Sequence, residues 1–281
     1  MSKTFWDSAT RHFPSHDELA TLDRDLRFRP AATEGKAFNS NQIEQYNREG
    51  YLLPFRVFDE SSINNIRTHF DRWLEEAHKQ SIDSYSIRSA HVKHRTVWDI
   101  VHEERILNYV ADLIGQEFVC WGAHFFCKMP KDGKRVSWHQ DASYWPLNPS
   151  KTVSVWLAID AADRDNACMQ FVAGSHLNGH IEFKKSEKSE FNVLNQTVSD
   201  AERYGDKVAN VELEPGEISL HSDLLLHGSG PNNSDRRRCG LTLRYAAIDV
   251  RTKFNWNSEG VVVRGSDPSG HWANPPRPEM D

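Results

Sequence analysis

The sequence predicts an α+β protein whose helices come first and whose second half closes into a β-sandwich or barrel. Three observations carry this reading. Between residues 39 and 114 apolar side chains recur at helical spacing. After Gly115 the apolar stretches shorten to strand length and are rich in β-branched and aromatic residues. Pro-Gly and Gly-rich turns separate those stretches.

The elements follow in order. Residues 1–38 are polar, with scattered aromatics and Arg29-Pro30, and read as an irregular arm or lid. Asn39 or Ser40 caps a helix over Gln42–Arg48 that Gly50 ends, and Tyr51-Leu52-Leu53-Pro54 reads as a short strand. From Asp59 a second helix places Ile63, Ile66, Phe70, Trp73 and Leu74 on one face. A third spans Glu103–Ile114, with Ile106, Val110 and Leu113 inward and Gly115 as its stop. Strands are expected over Phe118–Lys128, Thr152–Ile159, Val208–Leu213, Ile218–Leu220, Leu224–His227 and Leu241–Val250, with Pro215-Gly216 as a turn. Residues 39–281 are expected to form a single domain, with 1–38 as the arm; 281 residues are ample for one large core.

Composition narrows the function. With 34 basic against 40 acidic residues the net charge is −6, which argues against a dedicated nucleic-acid binder. No apolar run approaches the roughly 18 residues of a membrane span. Residues 1–18 lack the apolar segment of a secretory signal, and four cysteines without CxxC spacing suit a reducing setting, so a cytoplasmic location is expected. Fourteen histidines make a metal site worth seeking.

The densest chemistry lies in Ser137-Trp138-His139-Gln140-Asp141. On a strand, residues two apart point to the same face, so His139 and Asp141 present an imidazole and a carboxylate together. A third ligand from elsewhere completes a two-His, one-carboxylate triad, which leaves open positions on an octahedral metal. The candidate is His227, ahead of the turn Gly228-Ser229-Gly230-Pro231; His221 is its competitor. Eleven residues beyond His227 stands Arg238, and a buried arginine grips a carboxylate through two parallel hydrogen bonds. A metal triad with such a clamp describes a 2-oxoglutarate site in chemical terms.

The segments 128–145 (KMPKDGKRVSWHQDASYW), 152–160 (TVSVWLAID), 165–176 (DNACMQFVAGSH), 213–221 (LEPGEISLH) and 224–245 (LLLHGSGPNNSDRRRCGLTLRY) occur in this order. Together they resemble the phytanoyl-CoA dioxygenase family of Fe(II)/2-oxoglutarate oxygenases. Residues 39–60 are similar to that family's N-terminal segment, and 261–272 to a tail of bacterial members. The resemblance implies a double-stranded β-helix, a jelly-roll or cupin-like barrel backed by the N-terminal helices. It also implies iron ligands at His139, Asp141 and His227. Arg238 would hold the distal carboxylate of 2-oxoglutarate, Ser229 and Trp156 would line that pocket, and His124 would add a contact. One departure is Asn166-Ala167-Cys168, where the family carries Asn-Gly-Cys.

The implied activity is hydroxylation of an aliphatic carbon of a small polar or anionic molecule, with O2 consumed, succinate and CO2 released, and ascorbate as a stimulant. Related halogenases lack the carboxylate, so Asp141 favours hydroxylation. A 2-aminoethylphosphonate-type compound is one concrete expectation, on the view that Arg88, Lys93, His94 and Arg95 face the pocket mouth. Natural-product or acyl-CoA hydroxylation is the alternative within the family. A cupin-like protein using zinc, or a barrel that binds without catalysis, are the alternatives outside it. Trp138, Tyr144 and Trp145 are candidates for the substrate wall or for the core. His176 reads as structural, Arg236 and Arg237 as surface charges, and the cysteines as inert. A small-molecule substrate is the only expected partner, with no nucleic acid and no membrane; whether the chain is a monomer or a homo-oligomer stays open.

Overall fold

The computed structural model describes residues 11–281, apart from residues 33 and 86. Five helices are present among them: α1 (His16–Ala20), α2 (Ser40–Glu49), α3 (Glu60–Lys79), α4 (Arg95–Val101) and α5 (Glu104–Ile114). The strands are β1 (Tyr51–Arg56), β2 (Phe118–Lys128), β3 (Val136–His139), β4 (Leu147–Asn148), β5 (Thr152–Ala158), β6 (Met169–Ala173) and β7 (Lys184–Lys185). They continue with β8 (Gln196–Thr197), β9 (Lys207–Val211), β10 (Glu217–Ser222), β11 (His227–Ser229), β12 (Arg238–Ala247), β13 (Arg251–Thr252) and β14 (Val261–Arg264). A six-stranded sheet runs β1-β10-β5-β12-β2-β14, and a four-stranded sheet runs β3-β11-β6-β9. All their pairings are antiparallel. Two two-stranded ribbons, β13-β4 and β7-β8, complete the set. The chain is an α+β jelly roll, as expected.

Helix boundaries follow local chemistry. Asn39 and Gln42 form a reciprocal cap on α2, and Gly50 ends it in the left-handed conformation at φ +83°, where a glycine pays no Cβ penalty. Asp59 caps α3, which buries Ile63, Ile66, Phe70, Trp73, Leu74 and Ala77.

Strand parity decides which side chains reach the interior. On β12, Cys239, Leu241, Leu243 and Tyr245 join the core shared with the helices. Arg238, Gly240, Thr242 and Arg244 therefore face the other way, into the barrel. On β5, Val153, Val155 and Leu157 face the helices, while Trp156 packs with Phe171 of β6 between the two sheets. Strands covered on both faces read as continuous apolar runs, which is why β2 and β5 stand out in the sequence.

Several expectations need correction. The arm is not wholly irregular: Ser15 and Glu18 cap the short helix α1. Arg24 then donates to the carbonyls of Ala142 and Trp145 at 2.9 and 2.8 Å, which fastens the arm to the barrel. Residues 1–10 of the arm lie outside the described residues. Leu224–Leu226 form a buried turn, not a strand, and His227 opens β11 instead of closing a strand. The turn is apolar because it is enclosed, so composition alone mimicked a strand.

A metal triad, a dead-end arginine and an outer chamber

His139 is the last residue of β3, and His227 is its direct partner across the antiparallel pair with β11. Directly opposed residues bring their side chains together, and the two rings lie 4.1 Å apart between centroids. Asp141 does not share the strand with His139, contrary to the simple alternation argument. It opens a single 3-10 turn, Asp141–Ser143, just past the strand end. Gln140 enforces the change of direction: its amide donates to the carbonyls of Gly179 and Leu224 and accepts from the Ile181 N–H. Asp141 still lands beside the rings, with Oδ1 4.0 Å from His139 Nε2.

One ligand atom from each of His139, Asp141 and His227 lies within 4.8 Å of the others, and all three residues are buried. The protonation pattern suits a cation. Each histidine donates its Nδ1–H to a backbone carbonyl, His139 to Ser137 at 2.8 Å and His227 to Leu225 at 3.0 Å. That bond leaves Nε2 as the lone-pair donor. Burial and the neighbouring His227 push the His139 pKa down to about 3, so its imidazole is neutral. Burial opposes ionisation of Asp141, but the surrounding imidazoles and the Arg244 guanidinium outweigh it and hold the carboxyl below its usual range. Ser154 donates to Oδ2 at 3.1 Å and leaves Oδ1 turned to the rings. These donors fit one octahedral metal ion with open positions. His221 lies close, 4.9 Å from His227 between ring centroids, but outside this set.

The triad opens into a small pocket whose lining includes two buried arginines, Arg238 and Arg244. The Arg238 guanidinium sits 5.6 Å from the Trp156 ring centroid. Nε of Arg238 is buried with no hydrogen-bond partner among the described residues. A buried guanidinium left unsatisfied is costly unless a ligand completes it. A Cβ at residue 240 would overlap the Trp156 indole, so Gly240 is what lets that ring lie flat on β12. Ser229 and Trp156 line the same pocket. Lys128, which the sequence reading left out, donates from Nζ to the carbonyls of Gly230 and Lys134 and so holds the turn after Ser229. Burial, helped by Arg238, pushes its ammonium down to about 7.

His124 is not part of that pocket's lining. It faces a wider, adjoining chamber and pairs with the Tyr85 carbonyl at 2.6 Å. The chamber has a volume of about 680 Å³ and shares Phe126, His139, Asp141 and Arg244 with the inner pocket. Tyr144 and Trp145 belong to its wall, whereas Trp138 packs in the apolar cluster around Val172 and Ile181. Of the basic segment, only Arg88 reaches the chamber. Lys93, His94 and Arg95 turn away with the short 3-10 turn Ala90–Val92: His94 stacks on Trp73 at 4.0 Å, and Arg95 pairs with Asp281. His176 is structural as expected, bound to the Asn47 carbonyl. Arg236 and Arg237 are tied to Asp163 and Asp160, and the four cysteines are buried and free.

Arg11 and Arg244 also line the chamber, and neither stands in a motif of the sequence that marks it. A signal for Arg244 existed: it has the parity of Arg238 on the same apolar strand. Arg11 had none, because its partner Glu259 lies 248 positions away, at 2.7 Å in space.

A jelly roll that gathers two histidines and a carboxylate beside a buried arginine defines the class of mononuclear non-haem iron proteins. The family model for phytanoyl-CoA dioxygenase (PhyH) matches residues 46–240, and the chain belongs to that family. Peroxisomal phytanoyl-CoA dioxygenase of Bos taurus is 26% identical over 260 residues, covering 82% of this chain and 76% of that protein. A probable alpha-ketoglutarate-dependent hypophosphite dioxygenase of Stutzerimonas stutzeri is 26% identical over 165 residues, 58% of this chain and 57% of its own. Among solved structures, the non-haem monooxygenase ThoJ superposes with a TM-score of 0.71 at 25% identity, covering 85% of this chain and 88% of its own. No helix among the described residues is long and apolar enough to cross a membrane.

Proposed function

We propose that this protein is an Fe(II)- and 2-oxoglutarate-dependent dioxygenase that hydroxylates an aliphatic carbon of a small polar or anionic molecule. The observation that carries the reading is the pairing of two features across one pocket. His139, Asp141 and His227 converge with their lone pairs free, and Arg238 lines the same pocket with its buried Nε unpartnered among the described residues. A hydrolytic zinc site gives that arginine no task. Fe(II) with 2-oxoglutarate supplies the activation of O2, with succinate and CO2 as the co-substrate's products.

The chain's own residues do the rest. His139 and His227 offer Nε2, each fixed in tautomer by a backbone carbonyl. Ser154 holds the Asp141 carboxylate in place. Arg238 receives the far carboxylate of the co-substrate through a bidentate pair, and Ser229 and Trp156 border it. The retained carboxylate of Asp141 supports hydroxylation over halogenation. Ascorbate is expected to help by keeping the iron reduced.

A relative named for hypophosphite, itself an oxyanion, keeps small phosphorus compounds such as 2-aminoethylphosphonate among the substrates to try. The test is succinate formation from 2-oxoglutarate with Fe(II), ascorbate and air, across phosphonates, amino acids, betaines, acyl-CoAs and larger organic acids. A compound-dependent rise, with a product heavier by one oxygen, supports the reading. Failure of Fe(II) and 2-oxoglutarate to bind at all would sink it.

A further inference from the structure

The outer chamber is built for something larger and less polar than an aminophosphonate. Its volume of about 680 Å³ lies in the range of roughly 300–1,000 Å³ typical of sites for drug-sized ligands. Its walls are aromatic: Trp121, Tyr144, Trp145 and Trp256, with Phe13 and Phe126 at the sides. Among these faces stand three guanidinium groups, and they are not equivalent. Arg11 is spent on Glu259, and it also donates to the Trp121 carbonyl. Arg88 lies over the Phe13 ring at 5.4 Å, with Asp83 as its acidic neighbour.

Arg244 is different. It lies against the Trp121 and Trp145 pair, 5.7 and 5.3 Å from their centroids, and its Nε is buried with no hydrogen-bond partner among the described residues. The acid that acts on it is Asp141, whose charge a bound metal ion would take up. Arg244 stands where the two cavities meet, lining the chamber and also the inner pocket that Arg238 lines.

We propose that the chamber binds an organic anion with an apolar, ring-sized body. Its carboxylate or phosphate group pairs with Arg244, and its body lies against the tryptophan faces, presenting a carbon to the triad. This rests on the oxygenase reading for the chemistry, but not for the binding. Tryptophan faces accept flat or apolar groups at little entropic cost, and the desolvated guanidinium selects charge. Arg88, nearer the mouth, adds attraction at longer range.

The test uses the full chain and three probes: 4-phenylbutyrate, its neutral amide, and 2-aminoethylphosphonate. Binding is read from tryptophan fluorescence, with and without Fe(II) and 2-oxoglutarate under anaerobic conditions; 2-oxoglutarate affinity is read separately from the visible absorption of its iron complex. The acid should bind at least tenfold more tightly than either competitor. In protein without Fe(II) and 2-oxoglutarate, Arg244→Gln should erase that preference, and Arg244→Lys should keep part of it. Arg88→Gln should weaken the acid by a smaller factor. Equal binding of acid and amide, a tighter aminophosphonate, or an unchanged preference in both Arg244 variants would overturn the proposal. Arg244-dependent acid binding in a protein that takes up neither Fe(II) nor 2-oxoglutarate would uphold the chamber and overturn the oxygenase reading instead.

Discussion

The two cavities that meet at the metal triad are built differently. The inner pocket is made almost entirely by paired strands: His139 on β3, Trp156 on β5, His227 and Ser229 on β11, Arg238 on β12. The chamber wall shares strands with it, through Trp121 to His124 and Phe126 on β2 and Arg244 on β12, and adds the arm at Arg11 and Phe13 to Ser15, the segment around Asp83 to Ser89, the loop at Val193 to Asn195, and Trp256 near the C-terminus. Continuous ladders hold the strand residues at fixed spacing, whereas the added segments are held by isolated bridges, such as Arg88 to His124, and by side-chain contacts. A scaffold of this kind keeps the shared chemistry rigid and lets loops vary the substrate. The Arg11–Glu259 pair, joined by the Ser89 hydroxyl at 2.7 Å, is the clasp that ties three of those outer segments together.

Breaking each side separately should give different phenotypes. The largest effect belongs to the triad: His139→Ala or His227→Ala should reduce succinate formation to background and abolish tight Fe(II) binding, as measured by metal analysis after desalting. Next comes the clasp. Glu259→Ala leaves the Arg11 charge buried and unpaired, which costs about 3 kcal/mol by analogy with broken buried pairs. It should lower the denaturation midpoint and weaken chamber ligands, while 2-oxoglutarate affinity holds. Equal losses in both cavities would contradict their independence.

Acid should loosen the frame that carries both. Burial pushes the imidazoles of His91, His94 and His176 down to about 4, so the folded protein holds them neutral. The unfolded chain takes up those protons near pH 6.5, so it binds more protons than the native state between about pH 6.5 and 4. Stability therefore falls as pH drops through that window, by up to about 1.4 kcal/mol per pH unit for each histidine. Urea midpoints of the metal-free protein measured from pH 7.5 to 5 should show the decline, and His176→Gln should flatten it. Midpoints that stay level over that range would mean these rings are not held neutral.

Smaller effects sharpen the comparison further. Arg238→Gln removes a charge-assisted bidentate partner, at a cost of about 1.5–3 kcal/mol. It should raise the KM for 2-oxoglutarate by roughly 10- to 100-fold while affinity for the chamber probe is unchanged. The smallest change is Ala167→Gly. Ala167 adopts φ +63° in the turn where the family carries glycine, a conformation that penalises an L-alanine. Glycine there should stabilise the fold by about 1 kcal/mol without altering either cavity, as thermal melts would register.

What the sequence determined by itself is what depends on near neighbours. The cap at Asn39, the stop at Gly50, the start of α3 at Asp59 and the full span of β2 were all legible, because capping and strand periodicity are set within a few residues. The triad and Arg238 were legible for a second reason: their residue types stand in motifs that resemble a family. Tertiary structure alone decided the rest. Helix α4 has no side-chain cap on its N-terminal neighbour; the Arg95 and Thr96 N–H groups are satisfied by the Met280 carbonyl and the Asp281 carboxylate, from the far end of the chain. His139 meets His227 only because β3 and β11 pair. The chamber exists only where the arm, the segment before β2 and the C-terminal region come to rest against one another, and no local rule encodes contacts between segments so far apart in sequence.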